Sequence, residues 1–373
     1  MKTTIKDITQ QTSGRVIAFS DIHGYVDYLR PMLEQLHYTT DDTLVFVGDL
    51  IEKGPKSLET VRYIMKLREE NEKVHVLMGN IEYSRIGAFF EGDDKAFYDS
   101  IQFAYRVWEC GLVLDMLLEQ GIDVESVTME NVVEVRKTLV DIYYEELGFL
   151  WNLPTIITCG NFCFTHAGIP TSVSEKITTD ELIKEDAYAF MKIDSFVDVA
   201  KKYDKCVVVG HWPVCLYQKD INCMNAIFAV DKNVIAIDGG CALKIGAQLN
   251  ALVIPQKNAL MQECSVETYD DFPSLVASRN QEYQKATISI KYFDSEVKIL
   301  EEQEDIAFVQ HVSTGVKFWE PRSYLYKNSK GVFSGDITDT WLEIHKGDII
   351  KVIERTSKGM IVKKDGMLGW YQE

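Results

Sequence analysis

The sequence predicts an α/β protein with a helical insertion and a small all-β domain at its C-terminal end, on three observations. Short β-branched runs recur through the front two-thirds: RVIAFS, TLVFVG, VHVLMG, NFCFTH, KCVVVG and NVIAID, each followed at once by polar residues and glycine. Runs of this length and valine/isoleucine content suit strands buried on both faces, and the segments between them, such as YLRPMLEQL and LETVRYIMKL, carry helical spacing. Between Tyr83 and Leu150 the spacing turns helical throughout, in FYDSIQFAYRVWECGLVLDMLLEQ and ENVVEVRKTLVDIYYEELGFLW, which predicts an insertion over 83–150 that either caps the site built by the strand ends or packs at the periphery. From about Thr287 the pattern changes again. The stretches ISIKYF, EVKILEE, IAFVQHV, VKFWEP, SYLYKN, DIIKVIER, GMIVKK and GMLGWYQ alternate between glycine and charged turns, as strands of a small barrel do.

These shifts divide the chain into a main domain over 1–255, a polar, acidic linker over 256–286 and an all-β domain over 287–373. With 46% hydrophobic and 26% charged residues, the composition is that of ordinary globular protein and argues against disorder. A formal charge of −18, from 57 acidic against 39 basic residues, repels nucleic-acid backbones and anionic membrane surfaces, so neither is an expected partner. The opening MKTTIKDITQQTSG lacks the apolar centre of a signal peptide, and no run approaches the ~20 apolar residues that span a bilayer, which predicts a cytoplasmic location. Eight cysteines without a C-x-x-C pair read as reduced core residues.

Six candidate metal ligands stand at the C-terminal ends of the apolar runs: Asp21 and His23 in SDIHG, Asp49 in VGDL, Asn80 in MGNIE, His166 in THAG and His211 in VGHW. Strand ends of α/β sheets are where adjacent loops splay and leave a crevice. Taken singly, each residue has an ordinary explanation as a turn, a helix cap or a loop side chain. Six in this order, each close to a glycine that lets backbone approach an ion or phosphate, do not. Three imidazoles, two carboxylates and one amide carbonyl suit manganese, iron or zinc, and a carboxylate can bridge two ions about 3.5–4 Å apart.

The order D-x-H-G, G-D, G-N, H-A-G, G-H resembles that of the calcineurin-like metallophosphoesterases, in particular their phosphoprotein-phosphatase branch. The likeness extends through DLIEKGPKSLETVRYIM, LWNLPTIITCGNFCFTHAGIP and the stretch from GHWPV to IDGGCAL, about residues 15–255. The resemblance implies a four-layer α/β/β/α sandwich and two divalent ions, manganese ahead of iron or zinc. It places Asp21, His23 and His211 on one ion, Asn80 and His166 on the other, and Asp49 between them. It also implies in-line attack on phosphorus by a metal-bound hydroxide, whose water the ions bring from a pKa of 15.7 toward about 7. Independently, WLEIHKGDIIKVIERTSKGMIVKKDGMLGWYQE resembles a bacterial Src-homology-type barrel.

Three positions depart from the family pattern. Where the third motif reads G-N-H-E, this chain has GNIE, so Ile81 replaces the histidine that protonates the leaving group. Its aspartate partner is Glu52, and the phosphate-binding arginine is Lys53, which keeps the charge but loses the two-pronged fork. Asp49, Glu52 and Lys53 are therefore the expected catalytic residues, with Asp238 either orienting a histidine or shaping a turn and Trp212 either packing or stacking on substrate. General acid help is worth ~10² to 10⁴ in rate, so alkyl phosphates are expected to turn over slowly. The leading expectation is hydrolysis of phosphomonoesters, with phosphoserine or phosphothreonine in proteins as the substrate class. One alternative is a dinucleoside polyphosphate hydrolase, whose anhydride leaving group needs less protonation. The other is a phosphate-binding protein that recruits a peptide partner through barrel aromatics: Trp319, Tyr324, Tyr326, Trp341 and Trp370.

Overall fold

The computed structural model describes residues 2–373 and divides into two compact units. The first comprises Met1–Trp212, Ala226–Ala242 and Leu249–Tyr269, and it holds two sheets. One sheet runs, edge to edge, through Ile5–Asp7, Ile156–Cys159, Phe162–Thr165, Cys206–Val209, Val234–Ala236 and Ile227–Ala229; the other through Ser265–Tyr269, Leu249–Ile254, Val16–Phe19, Thr43–Phe46 and Val74–Val76. All six apolar runs form strands within these sheets. Val16–Phe19, Thr43–Phe46 and Val74–Val76 pair in parallel, as do Phe162–Thr165, Cys206–Val209 and Val234–Ala236.

Alternation along the strands sets the packing. Val16, Ala18 and Val45 share one apolar cluster with Phe162, Phe164, Val208 and Ile235, so the sheets meet face to face. Ile17, Phe19, Leu44 and Phe46 point the other way, into a cluster with Leu29, Met32, Val61 and Ile64 from helices Val26–Gln35 and Ser57–Glu70. That cluster continues into the insertion through Phe97, Met116, Leu139 and Leu150. The insertion is more broken than its periodicity suggests. The expected long helix over 97–120 divides into Asp94–Phe103, a π-turn over Ala104–Trp108 and Leu112–Glu119, because Glu109 and Gly111 take left-handed φ values of 56° and 139°.

The second unit comprises Pro213–Asn225, Leu243–Gln248 and Asp270–Glu373, so the expected boundaries shift. Asn222–Cys223, expected within the main domain, adds as a strand to Met367–Tyr371, and Met224 donates its N–H to the Gly366 carbonyl. Backbone pairing decides this, and a segment so short and polar gives no periodic signal. The 256–286 stretch is likewise not a plain linker. Ser265–Tyr269 pairs with Leu249–Ile254 in the first unit, and Ser274–Val276 pairs with Ile349–Thr356 in the second. The remaining strands of the second unit are Glu296–Glu302, Ile306–His311, Lys317–Pro321, Leu325–Asn328, Gly331–Ser334 and Gly359–Lys364. ISIKYF makes only isolated bridges, at Ser289 and Lys291. All eight cysteines are free, and no helix among the described residues is long and apolar enough to cross a membrane.

Candidate metal centre

Parallel strands of both sheets in the first unit end at the candidate ligands. Val16–Phe19, Thr43–Phe46 and Val74–Val76 deliver the loops carrying Asp21 and His23, Asp49, and Asn80; Phe162–Thr165 and Cys206–Val209 deliver His166 and His211. Asp21, His23, Asp49 and His211 have φ values of 52°, 46°, 51° and 65°, and Glu52 and Lys53 follow at 66° and 67°. Left-handed backbone outside glycine costs about 1–3 kcal/mol per residue and persists only where surrounding contacts enforce it. Here they do. The Asp21 N–H donates to the Gly48 carbonyl at 3.2 Å, His23 to Asp49 at 3.0 Å and Gly24 to Leu50 at 2.8 Å, stitching the first two loops together.

Glu82, fully buried, closes the same loops from below. Its carboxylate accepts four backbone N–H groups, from Asp49 (2.8 Å), Leu50 (2.7 Å), Ile51 (3.3 Å) and Gly79 (3.0 Å). Burial and the nearby Asp49 carboxylate push its pKa up to about 7. The sequence reading left Glu82 without a role, although it lies inside the quoted GNIE motif. Gly79 is required by space, since a Cβ there would run into the Asp49 carboxylate and backbone. Ile81 contributes through its backbone, donating its N–H to Asp49 Oδ1 at 2.9 Å.

Two of the histidines are oriented from behind. His23 Nδ1 meets the Ile51 carbonyl at 3.0 Å, and His166 Nδ1 meets the Val47 carbonyl at 2.8 Å. A carbonyl only accepts, so Nδ1 carries a proton in both rings and Nε2 is the nitrogen turned toward a ligand. His166 Nε2 lies 3.4 Å from Asp49 Oδ1 and 3.0 Å from Asn80 Oδ1, while His23 Nε2 lies 3.8 Å from Asp49 Oδ2. Two sets of donor atoms each lie mutually within 4.8 Å: Asp21, His23 and Asp49, and Asp49, His166 and His211. Asp49 is common to both. His211 therefore groups with His166, not with Asp21 and His23 as the resemblance implied. Its backbone N–H, at 2.9 Å from Asp21 Oδ2, is what touches the first set, while its ring lies 5.2 Å from that of His166.

Burial and the Lys53 ammonium lower the His23 pKa to about 3, and burial with the charge of His166 lowers that of His211 to about 4, so both rings are neutral. Burial disfavours charge on His166, but the Asp49 carboxylate outweighs it and raises the pKa to about 10. Burial alone would raise the Asp49 carboxyl; His166, His23 and Lys53 hold it well below the usual carboxylate range. Two neutral imidazoles, a third in His166 that would give up its Nε2 proton on binding an ion, a strongly anionic carboxylate shared by two sets, and an amide oxygen fit a pair of divalent ions.

The expected catalytic pair separates. Glu52 is 1% exposed, but its carboxylate faces the insertion: Oε1 accepts the Leu112 N–H at 2.9 Å, and Oε2 lies 3.9 Å from Arg85 Nε. Arg85 is held over the rings of Trp108 (4.7 Å) and Phe103 (5.2 Å). Burial raises the Glu52 pKa to about 7, with Arg85 opposing. Glu52 thus ties the Asp49 loop to the N-terminal end of helix Leu112–Glu119. A Cβ on Gly111 would stand 2.5 Å from Glu52 Oε2, at a φ of 139° that side chains avoid. Gly111→Ala is expected to cost about 1–3 kcal/mol, read as a lower urea midpoint at unchanged m-value. An unchanged midpoint would show that the contact relaxes freely.

Lys53 Nζ rests 3.2 Å from His23 Nε2. Lys192 Nζ rests 3.2 Å from His211 Nε2 and 2.9 Å from Asp194 Oδ1, which itself lies 3.1 Å from His211 Nε2. The sequence reading missed Lys192 and Asp194, which belong to no strand-end motif. Asp238 is fully buried; Oδ1 accepts the Gly240 N–H at 2.8 Å, shaping the turn, and Oδ2 has no hydrogen-bond partner among the described residues. Burial and the like charge of Asp21 raise its pKa well above the usual carboxylate value. Trp212 is packed, at 9% exposure.

Nitrogen and oxygen donors gathered at the ends of parallel strands define an α/β metalloprotein. The sequence profile of the calcineurin-like phosphoesterases matches residues 14–237, well over half the chain, and the protein belongs to that family of metal-dependent hydrolases. Among curated relatives, a symmetrical bis(5'-nucleosyl)-tetraphosphatase from Pseudomonas syringae pv. syringae is 41% identical over 69 residues, 17% of this chain and 24% of the relative. Another protein of that name, from Vibrio cholerae, is 32% identical over 101 residues, 27% of this chain and 36% of the relative. The chain thus spans well under half the length of either. Similar solved structures include a serine/threonine phosphatase from Saccharomyces cerevisiae (11% identity, TM-score 0.41, covering 73% of this chain and 84% of that one). A cold-active protein-tyrosine phosphatase from Shewanella is also similar (17% identity, TM-score 0.39, covering 72% and 82%).

Proposed function

We propose that this chain is a two-metal phosphoesterase that hydrolyses phosphomonoesters, with phosphoserine and phosphothreonine in proteins as the substrate class, and acts best where the leaving group departs without a proton. The observation that carries this reading is the pair of donor sets sharing Asp49, set beside a buried Ile81. Asp21, His23 and Asp49 would hold one divalent ion and Asp49, Asn80, His166 and His211 the other, with manganese ahead of iron or zinc. When bound, such ions neutralise phosphate charge and lower the pKa of an attacking water.

The chain's own residues do the rest. Asp49 is held anionic, His23 and His166 present Nε2, and the ammonium groups of Lys53 and Lys192 stand at the centre to take phosphate oxygens as point charges. Glu52 does not take the place of the missing histidine, because its carboxylate is committed to Leu112 and Arg85. The face-to-face sheets with helices outside one of them support the α/β/β/α layering implied by the family resemblance. In the second unit, a Src-homology-type barrel with a peptide partner belongs to the same reading, although Tyr324 and Trp370 lie in its core and only Tyr326 of the five candidate aromatics is well exposed. A cytoplasmic location is supported by the eight free cysteines.

A second reading, hydrolysis of dinucleoside polyphosphates, is favoured by the same gap. An anhydride leaves as a stabilised anion and needs no acid, and the two relatives' names point to that chemistry. Chelator-treated protein is expected to be inert toward para-nitrophenyl phosphate and to regain turnover with manganese. Bound metal without turnover, across a panel that includes anhydrides, would favour a phosphate-binding protein.

A further inference from the structure

Away from the metal ligands, the first unit holds a cavity of about 550 Å³, lined by the edge strands of both sheets, Ile5–Asp7 and Val74–Val76, and by the chain leaving the insertion at Trp151–Pro154. Lys6, Arg68 and His75 line it, with Trp151 alongside and Glu91 as the sole carboxylate. In a chain of net charge −18 such a cluster stands out, and among the described residues neither Lys6 nor Arg68 forms an ion pair. Lys6 Nζ lies 3.0 Å from His75 Nδ1. An ammonium can only donate, so Nδ1 accepts and the ring proton sits on Nε2. That N–H is buried, His75 being 2% exposed, and it has no partner among the described residues.

That nitrogen is shut away from solvent, so the positive charge that faces the cavity comes from Lys6 and Arg68. Burial, with Lys6 and Arg68 adding to it, lowers the His75 pKa to about 3, so the ring is neutral. Two cations without a carboxylate partner on the wall suit an anion. The volume falls within the ~300–1,000 Å³ of small-molecule sites, and the half-buried indole of Trp151 offers an aromatic face.

We propose that this cavity is a second ligand site, for a small aromatic molecule carrying a phosphate group, separate from the metal centre. The strand Val74–Val76 in its wall runs on to Asn80, and on the way the Met78 N–H donates to the Pro154 carbonyl at 2.9 Å.

The test uses the full chain, with chelator present to silence the metal centre and adenosine 5'-monophosphate as probe, followed by titration calorimetry and tryptophan fluorescence. Saturable binding with quenching is expected, weakened roughly tenfold or more in Lys6→Met/Arg68→Met. Trp151→Phe should lose the quench, and the ligand-free melting temperature of each variant reports its fold. Equal affinity in the double variant, or no binding at millimolar probe, would overturn the proposal, as would inorganic phosphate alone binding as tightly. Loss of turnover in the manganese assay leaves this outcome untouched, so the two readings fail separately.

Discussion

In the Asp49→Asn variant, kcat toward para-nitrophenyl phosphate is expected to fall at least about a thousandfold, roughly 4 kcal/mol of barrier. Asp49 is the one carboxylate present in both donor sets, and its environment keeps it anionic. The amide is neutral, and it also puts a donor in place of one of the two oxygens. Oδ1 accepts the Ile81 N–H at 2.9 Å, so the amide NH₂ falls to the Oδ2 position, 3.8 Å from His23 Nε2, where it occupies the lone pair an ion would use. Metal analysis should show fewer than two ions per chain. A variant that retained both ions and about a tenth of wild-type turnover would show that Asp49 is not the shared ligand.

The second large effect is a selectivity. At saturation, aryl phosphates and phosphoanhydrides are expected to turn over about 10² to 10⁴ times faster than phosphoserine, because Ile81 stands where a histidine would protonate the leaving alkoxide. Ile81→His should recover little of that factor. The imidazole would lack a carboxylate partner, since Glu52 is held by Leu112 and Arg85 on the insertion side. Comparable rates on aryl and alkyl phosphates would mean that another group donates the proton. Full rescue by Ile81→His would mean that Glu52 swings back with ease.

Much of this centre was legible because its residues adjoin strands that announce themselves. Asp21, His23, Asp49, Asn80, His166 and His211 each follow a β-branched run, and the fold brings those run ends together. What the sequence hid is what depends on direction. Glu52 sits in the right motif, yet its side chain turns toward Leu112, and no spacing records a rotamer. Glu82 acts through four backbone N–H groups that converge only in the folded loops. Lys192 and Asp194 come from an irregular segment and reach His211 through tertiary placement alone. For the fold, Ile5–Asp7 and Asn222–Cys223 escaped because two or three residues give no period, and their membership is decided by the strand beside them.

The two donor sets differ in how they meet solvent. Asp21, His23 and Asp49 are all buried, whereas His211 is less so and touches the solvent-facing Lys192 and Asp194. Loading and release should therefore be stepwise, with a slowly exchanging inner position and a labile outer one. A preparation dialysed for a short time would settle near one ion per chain, and a different metal added afterwards would fill the vacated position. Mixed-metal occupancy would then reflect exchange lifetimes more than thermodynamic preference.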